Sequence, residues 1–284
     1  MMTRILKGAD AAKALTEKLR EETAQLKGQG IEPCLAIVRV GAREDDLAYE
    51  RGAVKRCEKI GVAVRQVILP EDVRQDDLMN EIQALNEDHA VHGILLFRPL
   101  PGHLDDEAVR QAILPAKDMD GITEGSMAAV YAGTQAGYPP CTAAACVELL
   151  KHYQIPISGK RVVVIGRSLV IGKPVSLLLL AENATVTICH SRTEGLAAVC
   201  READILVVAA GRAGMVGAEH TRPGQVVLDV GIHAAADGGL CGDVRFDEVN
   251  GIVEAITPVP GGVGTVTSTI LASHVVQAAK RASA

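Results

Sequence analysis

A run of β-branched residues that enters a glycine turn and leaves it as a helix limits this chain more than any other feature. Val162, Val163, Val164 and Ile165 lead into Gly166-Arg167-Ser168-Leu169-Val170-Ile171-Gly172-Lys173-Pro174. Strand–turn–helix units of this kind build parallel sheets covered by helices. Gly166 permits the tight turn, and Gly172 permits close approach of the helix. The free N–H groups and positive dipole end of that helix suit a phosphate. Pro174 fits the first helical turn, where a missing N–H removes no bond. The spacing is GxSxxxG rather than GxGxxG, so the turn alone reads equally as a structural bend. Its place after a buried strand points to a dinucleotide site.

The same alternation runs through the rest of the chain. Helices are expected over residues 11–27, 47–60, 76–86, 142–153, 174–182 and 266–281. Strands are expected over 34–40, 64–69, 93–97, 161–165, 185–189, 205–208, 226–230 and 252–256. The prolines and polar residues from Pro99 to Gly125 and the Pro139-Pro140 pair break the series in two. The fold class expected is therefore α/β with two lobes. The first, residues 1–138, is an α/β lobe, with a C-terminal helix at 265–284 packing back on it. The second, residues 139–264, is a Rossmann-like parallel-sheet domain that binds a dinucleotide. A length of 284 residues agrees with two domains of about 100–200 residues each.

Composition excludes several classes. Aromatics are 2% of the chain and Trp is absent, so the core must be Val, Ile, Leu and Ala, and base-stacking nucleic-acid platforms are not expected. A net charge of -6 also disfavours a polyanionic partner. The seven cysteines form no CxxC pair, which reads as reduced thiols and no metal site. Residues 1–27 are charged and amphipathic, unlike a signal peptide, and no apolar run is long enough to span a membrane. A cytoplasmic protein is expected.

Three further segments carry candidate chemistry. The strand at 185–189 ends in His190-Ser191-Arg192-Thr193. In dinucleotide folds this end faces the adenosine ribose, and Arg with hydroxyls suits the 2′-phosphate of NADP, where an acid would suit NAD; a solvated loop is the alternative. Asp120 can accept two hydrogen bonds from an aminopyrimidinone edge, or it can simply cap the loop before Gly121. Pro258–Gly264 (PVPGGVG) is either a ligand-lining loop or a hinge.

Together these segments resemble the methylenetetrahydrofolate dehydrogenase/cyclohydrolase family over nearly the whole chain. The resemblance is carried by Val40-Gly41, Tyr49, Cys57 before Gly61-Val62, the GILL strand with Pro99–Pro101, and KDMDG at Lys117–Gly121. It continues through Pro140-Cys141-Thr142, GRSxxxGKP, Cys189–Thr193, Asp229–Ile232, Gly242–Val244 and PVPGGVG. It implies a homodimeric enzyme of one-carbon metabolism that oxidises 5,10-methylenetetrahydrofolate with NADP. The first lobe would be the folate-side domain. Gly166, Arg167, Ser168, Gly172, Ser191 and Arg192 match cofactor positions, and Ile232 the nicotinamide side. Tyr49 matches a tyrosine stacked near the pterin and Asp120 the aspartate gripping the pterin's nitrogen edge, the two positions taken as catalytic. Pro260, Gly261 and Gly262 match the loop along the folate.

The pattern breaks at two positions. The family places a catalytic Lys four residues after the tyrosine, and a Gln before Leu-Pro; here they are Ala53 and Phe97, with Arg98 next. Lys55 is rotated about 240° from Tyr49 around a helix. Hydride transfer from this substrate needs alignment rather than a protein acid or base, but hydrolysis of the methenyl cation needs activated water. The residues therefore predict a dehydrogenase with weak or absent cyclohydrolase activity. The alternatives are a bifunctional enzyme in which Arg98, Lys55 or Arg51 replaces the Lys, and a catalytically silent folate- or nucleotide-binding paralogue.

Overall fold

The computed structural model describes residues 2–235 and 238–282. Residues 1, 236, 237, 283 and 284 of the expected lobes lie outside them. The strands are β1 (Arg4–Ile5), β2 (Cys34–Val40), β3 (Ala63–Leu69), β4 (Gly93–Leu96), β5 (Arg161–Ile165), β6 (Thr185–Cys189), β7 (Ile205–Val208), β8 (Val226–Asp229), β9 (His233–Ala234), β10 (Leu240–Cys241) and β11 (Ala255–Ile256). The α-helices are α1 (Gly8–Gly28), α2 (Glu44–Ile60), α3 (Gln75–Glu87), α4 (Asp106–Ala112), α5 (Glu124–Ala132), α6 (Cys141–His152), α7 (Gly172–Ala181), α8 (Leu196–Glu202), α9 (Phe246–Val249) and α10 (Thr267–Ala282).

The chain divides into two compact units. One joins the residues up to Lys13 to Thr142–Thr267; the other joins Ala14–Cys141 to the residues from Ser268 on. The first unit holds a six-stranded sheet in the order β1-β11-β8-β7-β5-β6. Every pairing in it is parallel, so the loops after β5, β6, β7, β8 and β11 leave from one edge. Ligands of open parallel sheets bind along that carboxyl edge. Its core is aliphatic, with Val163, Ile165, Leu206, Val208, Val227 and Ile256 buried together.

The second unit is built on a parallel three-stranded sheet, β3-β2-β4. Val38, Leu78, Ile82, Leu85, Ile94 and Leu96 form its core. In α10, Val275 packs beside Gly93, where a Cβ would lie 3.3 Å from its methyl.

Two expectations shift. Residues 252–254 do not extend the last strand; β11 keeps only Ala255–Ile256, because Gly251 and its neighbours turn after α9 with φ +103. β1, too short to read from periodicity, pairs with β11 and takes the first residues into the unit of the six-stranded sheet.

Candidate active site

The glycine turn is shaped by backbone crowding. Gly166 has φ +129, and a Cβ there would stand 2.2 Å from the Ala209 carbonyl oxygen; one on Gly172 would stand 2.3 Å from the Gly166 oxygen. Neither position has room for a side chain. The loop and the start of α7 thus fold onto each other, and the positive end of the helix dipole lies at this turn. The Ser168 hydroxyl accepts from the Ile171 N–H at 3.3 Å and its carbonyl from the Lys173 N–H at 3.0 Å. Ser168 therefore shapes the turn as well as facing solvent.

At the end of β6, the His190 N–H donates to Thr193 Oγ1 at 2.9 Å, and His190 Nδ1 accepts from the Arg192 N–H at 3.2 Å. His190 builds this turn, while Ser191, Arg192 and Arg167 are exposed. Among the described residues, neither guanidinium has a carboxylate partner within 4.0 Å, so both are available to an anion.

After β8 and β11, Asp229–Ile232 and Pro258–Thr265 enclose a cavity of about 160 Å³. It brings Ile232 together with Pro260, Gly261 and Gly262. Ile232 is 60% exposed beside this cavity. Sequence reasoning missed Gly8, whose N–H donates to the Gly261 carbonyl at 2.8 Å and whose absent Cβ would collide with the Gly262 oxygen. A glycine opening a helix carried no usable signal.

In the other unit, the residues of KDMDG separate by role. The Lys117 ammonium donates to the carbonyls of Leu85 and Asp88 at 2.9 and 2.8 Å. The Asp118 carboxylate accepts from the Ile122 and Thr123 N–H groups at 3.1 and 2.8 Å. Asp118, not Asp120, is thus the loop cap. Gly121, at φ +65, lets the loop press against the backbone of 138–140. Asp120 is half-buried, and its carboxylate is hydrogen-bonded by the thiol and the backbone of Cys141, the first residue of α6. Burial pushes its carboxyl up to about 6, against the lowering effects of the Cys141 thiol and the Arg98 charge.

Tyr49 on α2 shares this electrostatic site. Burial raises its hydroxyl well above the usual range, and the Asp120 charge raises it further. Its ring meets Phe97 edge-on, centroids 5.7 Å apart at 88°. Ala53, one turn along α2, is 2% exposed. A buried ion pair between Arg39 and Glu50, at 2.8 Å, pins α2 to the sheet. Arg51 and Lys55 line a cavity of about 450 Å³ with Glu50 and Glu58, which neither Tyr49 nor Ala53 lines. Of the three cations considered for the missing Lys, only Arg98 acts on Asp120. Arg98 is held by Asp106, with Nε 2.8 and 3.1 Å from the two carboxylate oxygens.

Comparison with known proteins gives one answer. A family model described as tetrahydrofolate dehydrogenase/cyclohydrolase, NAD(P)-binding domain, matches residues 140–283, and the corresponding catalytic-domain model matches residues 6–120. A bifunctional protein FolD of Carboxydothermus hydrogenoformans is 53% identical, covering 98% of this chain and 97% of that protein. One from Clostridioides difficile is 51% identical, covering 97% and 96%. The solved bifunctional enzyme FolD of Campylobacter jejuni superposes with a TM-score of 0.93 at 37% identity, covering 98% and 99%. The Trypanosoma brucei methylenetetrahydrofolate dehydrogenase-cyclohydrolase, solved with NADP and an inhibitor, gives 0.89 at 38%, covering 99% and 98%.

Proposed function

Because the chain belongs to the tetrahydrofolate dehydrogenase/cyclohydrolase family, we propose that it oxidises 5,10-methylenetetrahydrofolate with NADP and hydrolyses the methenyl product. The dehydrogenase activity and the NADP cofactor are those of its relatives. The observation that carries the reading is the backbone crowding at the turn into α7, where a Cβ on Gly166 would strike Ala209 and one on Gly172 would strike Gly166, so that only glycines allow this tight turn at the carboxyl edge of the sheet.

Bound NADP supplies the hydride acceptor. Arg167, Ser168 and the N-terminus of α7 hold its phosphates, Ser191 and Arg192 its 2′-phosphate, and Ile232 its nicotinamide side. On the folate side, Asp120 grips the pterin's nitrogen edge and Tyr49 stacks against the ring system. Pro260, Gly261 and Gly262 run along the substrate. Oxidation leaves a cation stabilised by the folate's own nitrogen, so these residues bind and align rather than transfer protons.

The names of the relatives favour the bifunctional reading over the loss of hydrolysis expected from Ala53 and Phe97. In that reading Arg98 supplies the positive charge at the hydrolytic step, stabilising the oxygen of the water adduct. The second reading, a dehydrogenase alone, rests on the apolar wall that Ala53 and Phe97 make beside Tyr49. One preparation decides between them, assayed for NADP reduction and for decay of the methenyl chromophore. Decay well above the spontaneous rate, lowered about 10-fold or more in Arg98→Leu, is the expected result. Decay at the spontaneous rate leaves the dehydrogenase alone, and an absence of NADP reduction leaves a silent binder.

Arg192→Ala is expected to raise the KM for NADP about 10-fold, roughly one charge-assisted hydrogen bond, and to leave the KM for NAD within about twofold. Equal changes for both cofactors would remove the 2′-phosphate role.

We also propose a homodimer in the cytoplasm. β3 is an edge strand with Ile68 57% exposed on it, and its unpaired backbone edge can take a second strand. No described helix is long and apolar enough to cross a membrane.

A further inference from the structure

We propose that Asp243 is a positioning residue of the dehydrogenase, a single carboxylate that fixes both the glycine-turn side and the nicotinamide side of the cofactor edge. The proposal rests on the NADP reading above and goes beyond it, since Asp243 lines neither the turn nor the cavity.

Asp243 is fully buried. Its Oδ2 accepts from the N–H groups of Ala210 and Gly211 at 2.7 and 2.9 Å, and its Oδ1 from the Arg212 N–H at 2.8 Å. Oδ1 also accepts from His233 Nε2 at 2.7 Å. Three consecutive backbone donors and an imidazole thus converge on one carboxylate, which satisfies its buried charge without a Lys or Arg. Each partner leads to the ligand edge. Residues 210–212 continue the loop after β7, whose Ala209 carbonyl oxygen crowds Gly166. His233 directly follows Ile232, the exposed wall of the cavity.

A second carboxylate locks the first. Asp229 accepts from the N–H groups of Gly231, Asp243 and Val244 at 3.0, 3.0 and 2.9 Å. The packing is tight on both sides. A Cβ on Gly231 would lie 2.5 Å from the Asp243 carboxylate, and one on Gly242 1.9 Å from that of Asp229. The loops after β7 and β8 are therefore interleaved through two side chains and cannot shift independently. An aligned hydride transfer is sensitive to displacements of about 1 Å, which can cost roughly 10²-fold.

The test uses the full chain and three readouts: NADPH binding by its fluorescence, steady-state kinetics, and amide hydrogen exchange at 210–212. Asp243→Asn turns one acceptor into a donor facing the loop. It should weaken NADPH binding about 10-fold or more and speed exchange at 210–212, with the KM for methylenetetrahydrofolate within about twofold. His233→Ala spares the three backbone donors and frees only the Ile232 side. It should lower kcat several-fold with NADPH affinity within about twofold. If Asp243→Asn fails to fold, His233→Ala decides. A folded Asp243→Asn with wild-type NADPH affinity, or a His233→Ala with wild-type kcat, overturns the proposal. A merely structural role would lower the melting temperature of either variant without this split between affinity and kcat. NADPH binding is read without turnover. A chain that binds NADPH but does not oxidise the folate would refute the dehydrogenase reading and still test the Asp243 grip.

Discussion

Asp120→Ala is expected to lower kcat/KM for methylenetetrahydrofolate about 10²-fold while NADPH binds as before, the cost of leaving buried polar groups of the substrate unpaired being about 2–5 kcal/mol. Asp118 already caps the loop and Lys117 already anchors it, so removing the Asp120 carboxylate leaves the loop supported and gives up, within the protein, only its bonds to Cys141. Asp120→Asn keeps the shape and loses the charge. Burial raises the Asp120 carboxyl to about 6, so the charged, pterin-gripping form is present above that pH and is lost as pH falls through it. Folate affinity should therefore weaken below about pH 6 in the wild type, and the Asn variant should lack this dependence. Unchanged constants in Asp120→Ala would mean that the substrate lies elsewhere.

Gly172→Ala is expected to weaken NADPH binding about 100-fold or more. The added methyl must enter space 2.3 Å from the oxygen and 2.4 Å from the carbon of Gly166. Both are backbone atoms, so relief requires the turn to open, and about 1 Å of misplacement can cost roughly 10²-fold. Gly28→Ala is the control, with nothing within 4 Å of its added carbon. Fluorescence titration of NADPH against both variants checks this. A Gly172→Ala protein that binds NADPH like the Gly28→Ala protein would make the turn a simple bend.

Much of the nucleotide unit was legible because its signals are local. Between Val162 and Pro174, a β-branched run, a pair of spaced glycines and a proline dictate β5, the turn and α7. The short helices were less visible, though α4 and α5 carried readable caps: Asp105 accepts from the Ala108 N–H and Thr123 from the Ser126 N–H. Asp118 and Asp120 are the same residue type two positions apart. Only the fold distinguishes Asp118, which closes its own loop on the N–H groups of Ile122 and Thr123, from Asp120, which meets Cys141 at the start of α6. Asp229 and Asp243 lie 14 positions apart, and nothing in either segment announces that the two carboxylates knit neighbouring loops together. The rotation of Lys55 away from Tyr49 followed from helix geometry alone.

The edge strand β1 sets the order in which the chain can fold. Arg4 pairs with Ala255 and Ile5 with Ile256, and the Thr3 hydroxyl bridges the Val253 carbonyl and the Gly251 N–H at 2.7 and 2.8 Å. The bond from Thr3 to Val253 alone spans 250 positions of sequence. During synthesis, the first strand of the nucleotide-binding sheet therefore waits for a partner made at the far end of the chain. Loops this long close slowly, because their entropy is lost before any contact compensates for it. Residues 14–141 leave the ribosome in the interval. A nascent chain arrested before residue 255 would hold an unmatched N-terminal strand, and a fragment beginning at residue 142 would present β11 as a bare edge open to wrong partners.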